Sequence, residues 1–248
     1  MELNVNKIQI TEKSNILDIE VPKEMEINVS TGISAIDRLY AGDGITPSTA
    51  AMVTGMPGAG KSTLMMQLAD SLTANGHMVL YNTGEEGLYQ VRRVTKRLNL
   101  VNGFIVGQNK NVNDILNHLK QLKESNPDKH VILIQDSLQC LELNNEHKLG
   151  RPLSGSKAQL VCLSKLIEWA KSTYSILFII GQVNKKGDFA GKNEIKHMID
   201  CHMHLGYELK PNGTEIPCVE MTKNRFGISG LYYNFELSES GVRFIKSQ

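Results

Sequence analysis

The chain has 248 residues, is 41% hydrophobic by residue class, and sets 27 Lys and Arg against 26 Asp and Glu for a net charge of +1. That length suits one large α/β domain or two small ones, and the near-neutral balance excludes a globally basic nucleic-acid binder; any DNA contact must come from a local patch. No run of 18 apolar residues occurs, which excludes a transmembrane helix, and the start Met1-Glu2-Leu3-Asn4-Val5 lacks the basic and apolar regions of a secretory signal.

Residues 1–29 are polar and poorly periodic and read as an N-terminal arm, with Ile8-Gln9-Ile10 as a short alternating piece. Residues 30–248 read as one domain in which apolar strands alternate with amphipathic helices. Strands are predicted at Ala50–Thr54, Met78–Asn82, Gly103–Val106, Val131–Gln135 and Ile176–Gly181. Helices are predicted at Ser62–Ala74, Leu88–Leu98, Val112–Glu124, Lys157–Thr173 and Glu194–Asp200. The alternation predicts a mostly parallel, twisted sheet with helices on both faces. The tail changes rhythm: His202–Leu209, Glu215–Thr222, Gly230–Glu236 and Val242–Ile245 read as a β-meander, with Pro211-Asn212-Gly213 in a turn. The polar stretch Asn144–Ser156, with Gly150, Pro152 and Gly155, reads as a loop. Cys140, Cys162, Cys201 and Cys218 form no Cys-x-x-Cys pair and are expected as buried free thiols of a reducing cytoplasm.

Gly55-Met56-Pro57-Gly58-Ala59-Gly60-Lys61-Ser62 carries the strongest chemical signal. A Gly-rich loop between an apolar strand and a helix presents backbone N–H groups and a helix N-terminus to phosphates. Gly55, Met56, Pro57, Gly58, Ala59, Gly60, Lys61, Ser62 and Thr63 are the expected nucleotide-binding residues. Lys61 would neutralise the β- and γ-phosphates, and Ser62 would ligate Mg²⁺. The glycines are required because a Cβ would hold the backbone away from the anion.

Val131-Ile132-Leu133-Ile134-Gln135-Asp136 is a buried strand ending in an acid, so Asp136 is the expected second Mg²⁺ ligand. Glu85 and Glu86 follow the strand from Met78, at the carboxyl edge where a parallel sheet meets its ligands. Glu85 is expected to polarise the attacking water and Glu86 to serve the start of the next helix. Gln182 ends the strand from Ile176 and is placed to sense the γ-phosphate and signal to the following loop. That loop, Asn184–Lys192, combines Lys185, Lys186 and Lys192 with two glycines and Phe189. Its composition fits either a strand-tracking nucleic-acid loop or a solvated charged turn. Lys223 and Arg225, at a strand end, are candidates to reach a neighbouring subunit's phosphates, against a plain basic turn. In Cys201-His202-Met203-His204, strand alternation puts the two histidines on one face and Cys201 and Met203 on the other, which falls short of a tetrahedral zinc site.

At these residues the chain resembles the RecA-like ATPase core of the RadA/Sms family. The likeness runs in order through Ser30-Thr31-Gly32-Ile33-Ser34-Ala35-Ile36-Asp37-Arg38, the phosphate loop, Thr83-Gly84-Glu85-Glu86-Gly87, Asp136-Ser137-Leu138-Gln139, Gly181-Gln182-Val183-Asn184-Lys185-Lys186-Gly187, and Lys223-Asn224-Arg225-Phe226-Gly227. The last matches the family's five-residue signature without a change, and the resemblance spans about residues 30–246. It implies a RecA-like P-loop NTPase fold, ATP and Mg²⁺ as cofactors, and DNA-dependent ATP hydrolysis. Assembly would be a homo-oligomer, a hexameric ring or a filament, around single-stranded DNA held by Lys185, Lys186 and Lys192. Strand exchange, annealing or branch migration is the implied activity. Lys223 and Arg225 would act on the adjacent subunit's ATP. Gly87, Val94 and Gln182 depart from the family's usual Ser, Arg and His.

The family's zinc finger and Lon-protease-like domain are not seen, so the chain also resembles compact RecA-like recombinases of some bacteriophages. A bacterial cytoplasm, host- or phage-encoded, is the expected location, and a single-strand-binding protein or a recombinase is an expected partner. Three other readings stand beside this one: a DnaB-type hexameric helicase motor, a KaiC-like regulatory ATPase acting without DNA, and an annealing or mediator protein that uses ATP as an assembly switch.

Overall fold

The computed structural model describes residues 15–40, 42–143, 154–182 and 193–245. Nine strands form one sheet in the order β3-β2-β4-β5-β1-β6-β7-β8-β9. These are β1 (Ala50–Gly55), β2 (Met78–Thr83), β3 (Ile105–Gly107), β4 (Val131–Asp136), β5 (Ile176–Ile180), β6 (Cys201–Leu209), β7 (Glu215–Asn224), β8 (Tyr232–Ser238) and β9 (Gly241–Phe244). The six strands from β3 to β6 run parallel, and β6 to β9 form the antiparallel meander expected of the tail.

Helices cover both faces, as a parallel sheet of continuous Val, Ile and Leu runs requires. One face packs α1 (Ser34–Leu39), α2 (Lys61–Ala74) and α3 (Leu88–Arg97) through Ile36, Leu64, Leu68 and Val91 against Val53, Tyr81, Ile134 and Phe178. The other packs α4 (Val112–Ser125), α5 (Ser156–Ser172) and α6 (Asn193–Met198) through Ile115, Leu163, Leu166 and Ile195 against Met52, Leu133 and Ile179. Helix α2 is buried on most of its circumference, because the sheet lies on one side and β9 crosses the other.

Three elements differ from their sequence expectation for local reasons. The first turn after α3 is longer than its apolar pattern suggests, and β3 begins at Ile105 rather than Gly103. Buried Asp70 on α2 explains this: its Oδ1 accepts from the N–H groups of Asn102 at 2.8 Å and Gly103 at 2.7 Å and holds them in a turn. Helix α6 stops at Met198, since Asp200 leaves the helix to accept from Ala50 N–H at 3.0 Å. Helix α1 carries too few residues to show a period. It is fixed by Asp37, whose Oδ1 accepts from Thr31 N–H at 2.7 Å and Thr31 Oγ1 at 2.6 Å. All four cysteines are free; Cys140 is only half-buried, a departure from the expected burial of all four. Ile8-Gln9-Ile10 and most of Asn144–Ser156 lie outside the described residues.

Candidate nucleotide site

The phosphate loop leaves the end of β1 and closes onto α2, as the sequence predicts. Two of its glycines are enforced by geometry. Gly60 is the N-cap of α2 at φ +92°, and a Cβ there would stand 3.2 Å from Leu237 Cδ1. A Cβ on Gly55 would stand 2.5 Å from the Leu205 carbonyl oxygen of β6. Met56, Pro57 and Gly58 form the exposed crest of the loop, and buried Ala59 pins it through Ala59 N–H to Met56 O at 3.1 Å. Lys61 is the first residue of α2; its Nζ donates to the carbonyls of Gly55 at 2.8 Å and Met56 at 3.0 Å, so the ammonium lies inside the loop. Burial pulls the Lys61 pKa down, partly offset by Asp136.

Ser62 and Asp136, the two expected metal ligands, meet: Ser62 Oγ donates to Asp136 Oδ2 at 2.7 Å. The same carboxylate oxygen accepts from Tyr81 OH at 2.6 Å. Tyr81 lies on β2, faces inward, and was not singled out by its sequence, where it reads as an apolar strand residue. Burial and the Asp136 charge hold its phenol well above the usual range, so it stays a donor.

Glu85 is exposed at the end of β2, and its Oε1 accepts from Ser137 Oγ at 3.0 Å, Cys140 Sγ at 3.2 Å and Gln182 Nε2 at 3.5 Å. Gln182 therefore sits against the expected water-activating carboxylate. Glu86 immediately precedes the N-cap of α3, Gly87, whose N–H is taken by Gln90 Oε1 at 2.7 Å, so Glu86 lies at the helix start without capping it. The Glu86 carboxyl is half-buried beside Asp136 and Glu85; burial first, then those two charges, raise its pKa. Its Oε2 is buried without a hydrogen-bond partner among the described residues.

A cavity of about 460 Å³ opens beside this cluster, lined by Gly58, Gly60, Lys61, Ser62, Thr63, Arg97, Leu237, Ser238 and Glu239. Arg97 and the β8–β9 turn were not legible as site residues. Arg97 donates to the Glu239 carbonyl, and these positions are 142 residues apart in sequence. A larger cleft of about 590 Å³ lies between α4 and α5, away from the phosphate loop.

Lys223 and Arg225 are not part of this cluster. In register, Ala51 of β1 lies beside Cys201 of β6 and Gly55 beside Leu205, while Cys201 faces Asn224 of β7. The pair thus sits at the opposite edge of the sheet, about 13 Å along the strands and about 10 Å across them from the start of the phosphate loop. Lys223 Nζ donates to the carbonyls of Lys196 at 2.7 Å and Ile199 at 2.6 Å. Arg225 Nη1 donates to Asp200 Oδ1 at 3.1 Å and Nη2 to His197 O at 3.0 Å, with half of the Arg225 side chain exposed. Lys185, Lys186 and Lys192 lie outside the described residues. Cys201 and Met203 are buried in the core and His202 and His204 point to the other face, as alternation requires.

A family model described as the KaiC ATPase matches residues 29–248. The chain belongs to the KaiC ATPase family. Within it, this ATPase domain is homologous to DNA repair protein RadA, as its motifs suggest. It is 34% identical over 220 residues to RadA of Haemophilus influenzae, covering 88% of this chain and 45% of that protein. To RadA of Rickettsia bellii it is 31% identical over 242 residues, covering 96% and 51%. The chain thus spans about half the length of the curated relatives it matches. The fold of this KaiC-family domain is shared with the solved ATPase domain of another protein, at a TM-score of 0.73 and 17% identity over 89% of this chain and 92% of that one. It is shared also with the KaiC-like protein PH0186 from Pyrococcus horikoshii OT3, at 0.67 and 19% over 89% and 99%.

The donor set of this KaiC-family site fits a magnesium nucleotide. A hydroxyl and a carboxylate 2.7 Å apart are hard oxygen ligands, and the unpartnered Glu86 Oε2 faces the same cluster of charge. Ser62 and Asp136 would hold the ion, which would supply positive charge to phosphoryl oxygens. The Lys61 ammonium lies inside the loop, where phosphates would be held, and the Glu85 carboxylate, with Gln182 Nε2 at 3.5 Å, stands exposed at the same sheet edge. No helix among the described residues is long and apolar enough to cross a membrane.

Proposed function

We propose that this chain is the ATP-driven core of a DNA-recombination protein, which hydrolyses ATP at the seam between two copies of itself. One copy contributes Lys61, Ser62, Asp136 and Glu85; the next contributes Lys223 and Arg225. The carrying observation is their separation: the Lys223–Arg225 pair lies at the sheet edge opposite its own phosphate loop. An exposed arginine so placed has a role in phosphoryl transfer only in trans. Assembly is a ring or filament, because a head-to-tail interface repeats until it closes or extends. Single-stranded DNA as the activator rests on the identity to DNA repair protein RadA and on Lys185, Lys186 and Lys192 in the sequence that follows Gln182. The match to the KaiC model supports a second reading, a regulatory ATPase that DNA does not stimulate.

Two inactive variants test the seam. Lys61→Ala abolishes nucleotide turnover, and Arg225→Ala keeps nucleotide binding but lowers turnover on the order of 10³-fold. Mixed in equal amounts they regain activity, because about a quarter of the random seams join an intact loop to an intact arginine. A mixture as inactive as its components refutes the shared site. Single-stranded DNA raises wild-type turnover; turnover indifferent to DNA favours the KaiC-like reading instead.

A further inference from the structure

Thr54 is fully buried in β1, in a strand otherwise made of apolar residues and glycine, one residue before the phosphate loop. Its Oγ1 lies 2.7 Å from His202 Nε2 and 2.9 Å from His204 Nδ1, both on β6. The second nitrogen of His202, Nδ1, lies 2.7 Å from Thr222 Oγ1 on β7, and that hydroxyl also donates to the His202 carbonyl at 3.2 Å.

The sheet register explains how the four side chains meet. Met203 faces Met221, but His202 faces Lys223, so Thr222 is one extra residue on β7. Such a bulge re-aims side chains. Thr222 and Lys223, which alternation would send to opposite faces, here line one cavity of about 350 Å³ with His202, His204 and Lys196. A continuous line of hydrogen bonds therefore starts beside Lys223 and ends beside Gly55.

With the Thr222 proton on the His202 carbonyl, the proton count closes along the line. Burial, then the charges of His204, Lys196 and Lys223, push His202 down to about 4, so its ring is neutral and carries one N–H at pH 7. With Thr222 donating to the His202 carbonyl, His202 Nδ1–H donates to Thr222, Thr54 donates to His202 Nε2, and His204 Nδ1–H donates to Thr54. The Thr54 hydroxyl and both ring nitrogens of His202 are then satisfied, and displacing His202 leaves the buried Thr54 hydroxyl without its acceptor.

We propose that Thr54, His202 and Thr222 form a positioning relay that couples a protomer's own phosphate loop to the Lys223–Arg225 pair it offers to the next protomer. The proposal rests on the trans role of that pair. It makes Thr54 a residue through which one seam senses the nucleotide state of the adjacent one.

The test is a double-mutant cycle on ATP turnover in the full chain, with Thr54→Val, which removes only the hydroxyl, and Arg225→Ala. Thr54→Val leaves nucleotide affinity within about threefold, lowers kcat about tenfold and brings the Hill coefficient for ATP to unity; Thr54→Ser restores both. In the Arg225→Ala background the same change lowers kcat less than about twofold. If Thr54→Val does not fold, Thr222→Val, at an exposed position, is expected to behave the same way. Unchanged kcat and Hill coefficient in a folded valine variant overturn the relay. So does a tenfold loss that multiplies in full with that of Arg225→Ala. An Arg225→Ala protein with wild-type turnover instead removes the trans site itself, and the relay with it.

Discussion

Glu85 and Glu86 are adjacent acids with different surroundings, and the difference separates their proposed roles. Three donors from Ser137, Cys140 and Gln182 orient the exposed Glu85 carboxylate, while Glu86 is half-buried against Asp136. Glu85→Gln preserves size and hydrogen bonding but not basicity. Single-turnover hydrolysis is expected to slow about 10²- to 10⁴-fold with nucleotide binding retained. A variant that hydrolyses at the normal rate moves the base to Glu86. His202 carries a second expectation. Its folded pKa of about 4 lies below the usual 6.5, so between those values the unfolded chain binds a proton that the folded one refuses. Stability is full above about pH 6.5 and is lost as pH falls toward 4, by up to about 3 kcal/mol from this group. Urea unfolding of His202→Asn between pH 7 and pH 4.5 should show a shallower decline than the wild type. Glu85 could be found in the sequence because a strand end marks the ligand edge. The direction in which Glu86 turns could not, since neighbours in sequence share no fixed orientation outside regular structure.

Elements follow their periodicity where the apolar pattern is long and depart from it where one buried carboxylate intervenes. Asp70 replaces two residues of the expected third strand with a turn, and Asp200 ends α6 early to hold the first residue of β1. Both are acids inside or beside apolar runs, which periodicity treats as surface positions. Asp70 accepts three hydrogen bonds, including Asn102 Nδ2 at 3.1 Å, and is almost fully buried. Asp70→Ala strands two backbone donors and is expected to cost about 2 kcal/mol or more in urea denaturation, with β3 exchanging its amide protons first. A change under about 0.5 kcal/mol would mean that water or another group replaces the carboxylate. The lead-in segment Ser30–Asp37 has a parallel explanation: Asp37 gathers Ser30 and Thr31 and so fixes a short helix that has little cohesion of its own.

Across the molecule, the parallel sheet gathers Lys61, Ser62, Glu85, Asp136 and Gln182 at its carboxyl edge and sends Lys223 and Arg225 to the other. Two of these seven proposed residues, Lys223 and Arg225, therefore stand away from the phosphate loop of the protomer that carries them. Specific activity is expected to fall on dilution, as seams dissociate, and to recover on concentration. Turnover per chain that stays constant while sedimentation shows monomers would contradict the shared site.

The phosphate loop, the acid at the end of β4, the alternation of strands and helices, and the family were all legible in the order of residues, because each is a local pattern of type and spacing. Other features came into being only when the chain packed. Tyr81 joined to Asp136, Arg97 against the β8–β9 turn, and Thr54 linked to β7 through His202 are contacts between residues far apart in the chain. Register is their cause: strand pairing and one bulge set which distant side chains meet, and neither is written in the spacing of any single segment.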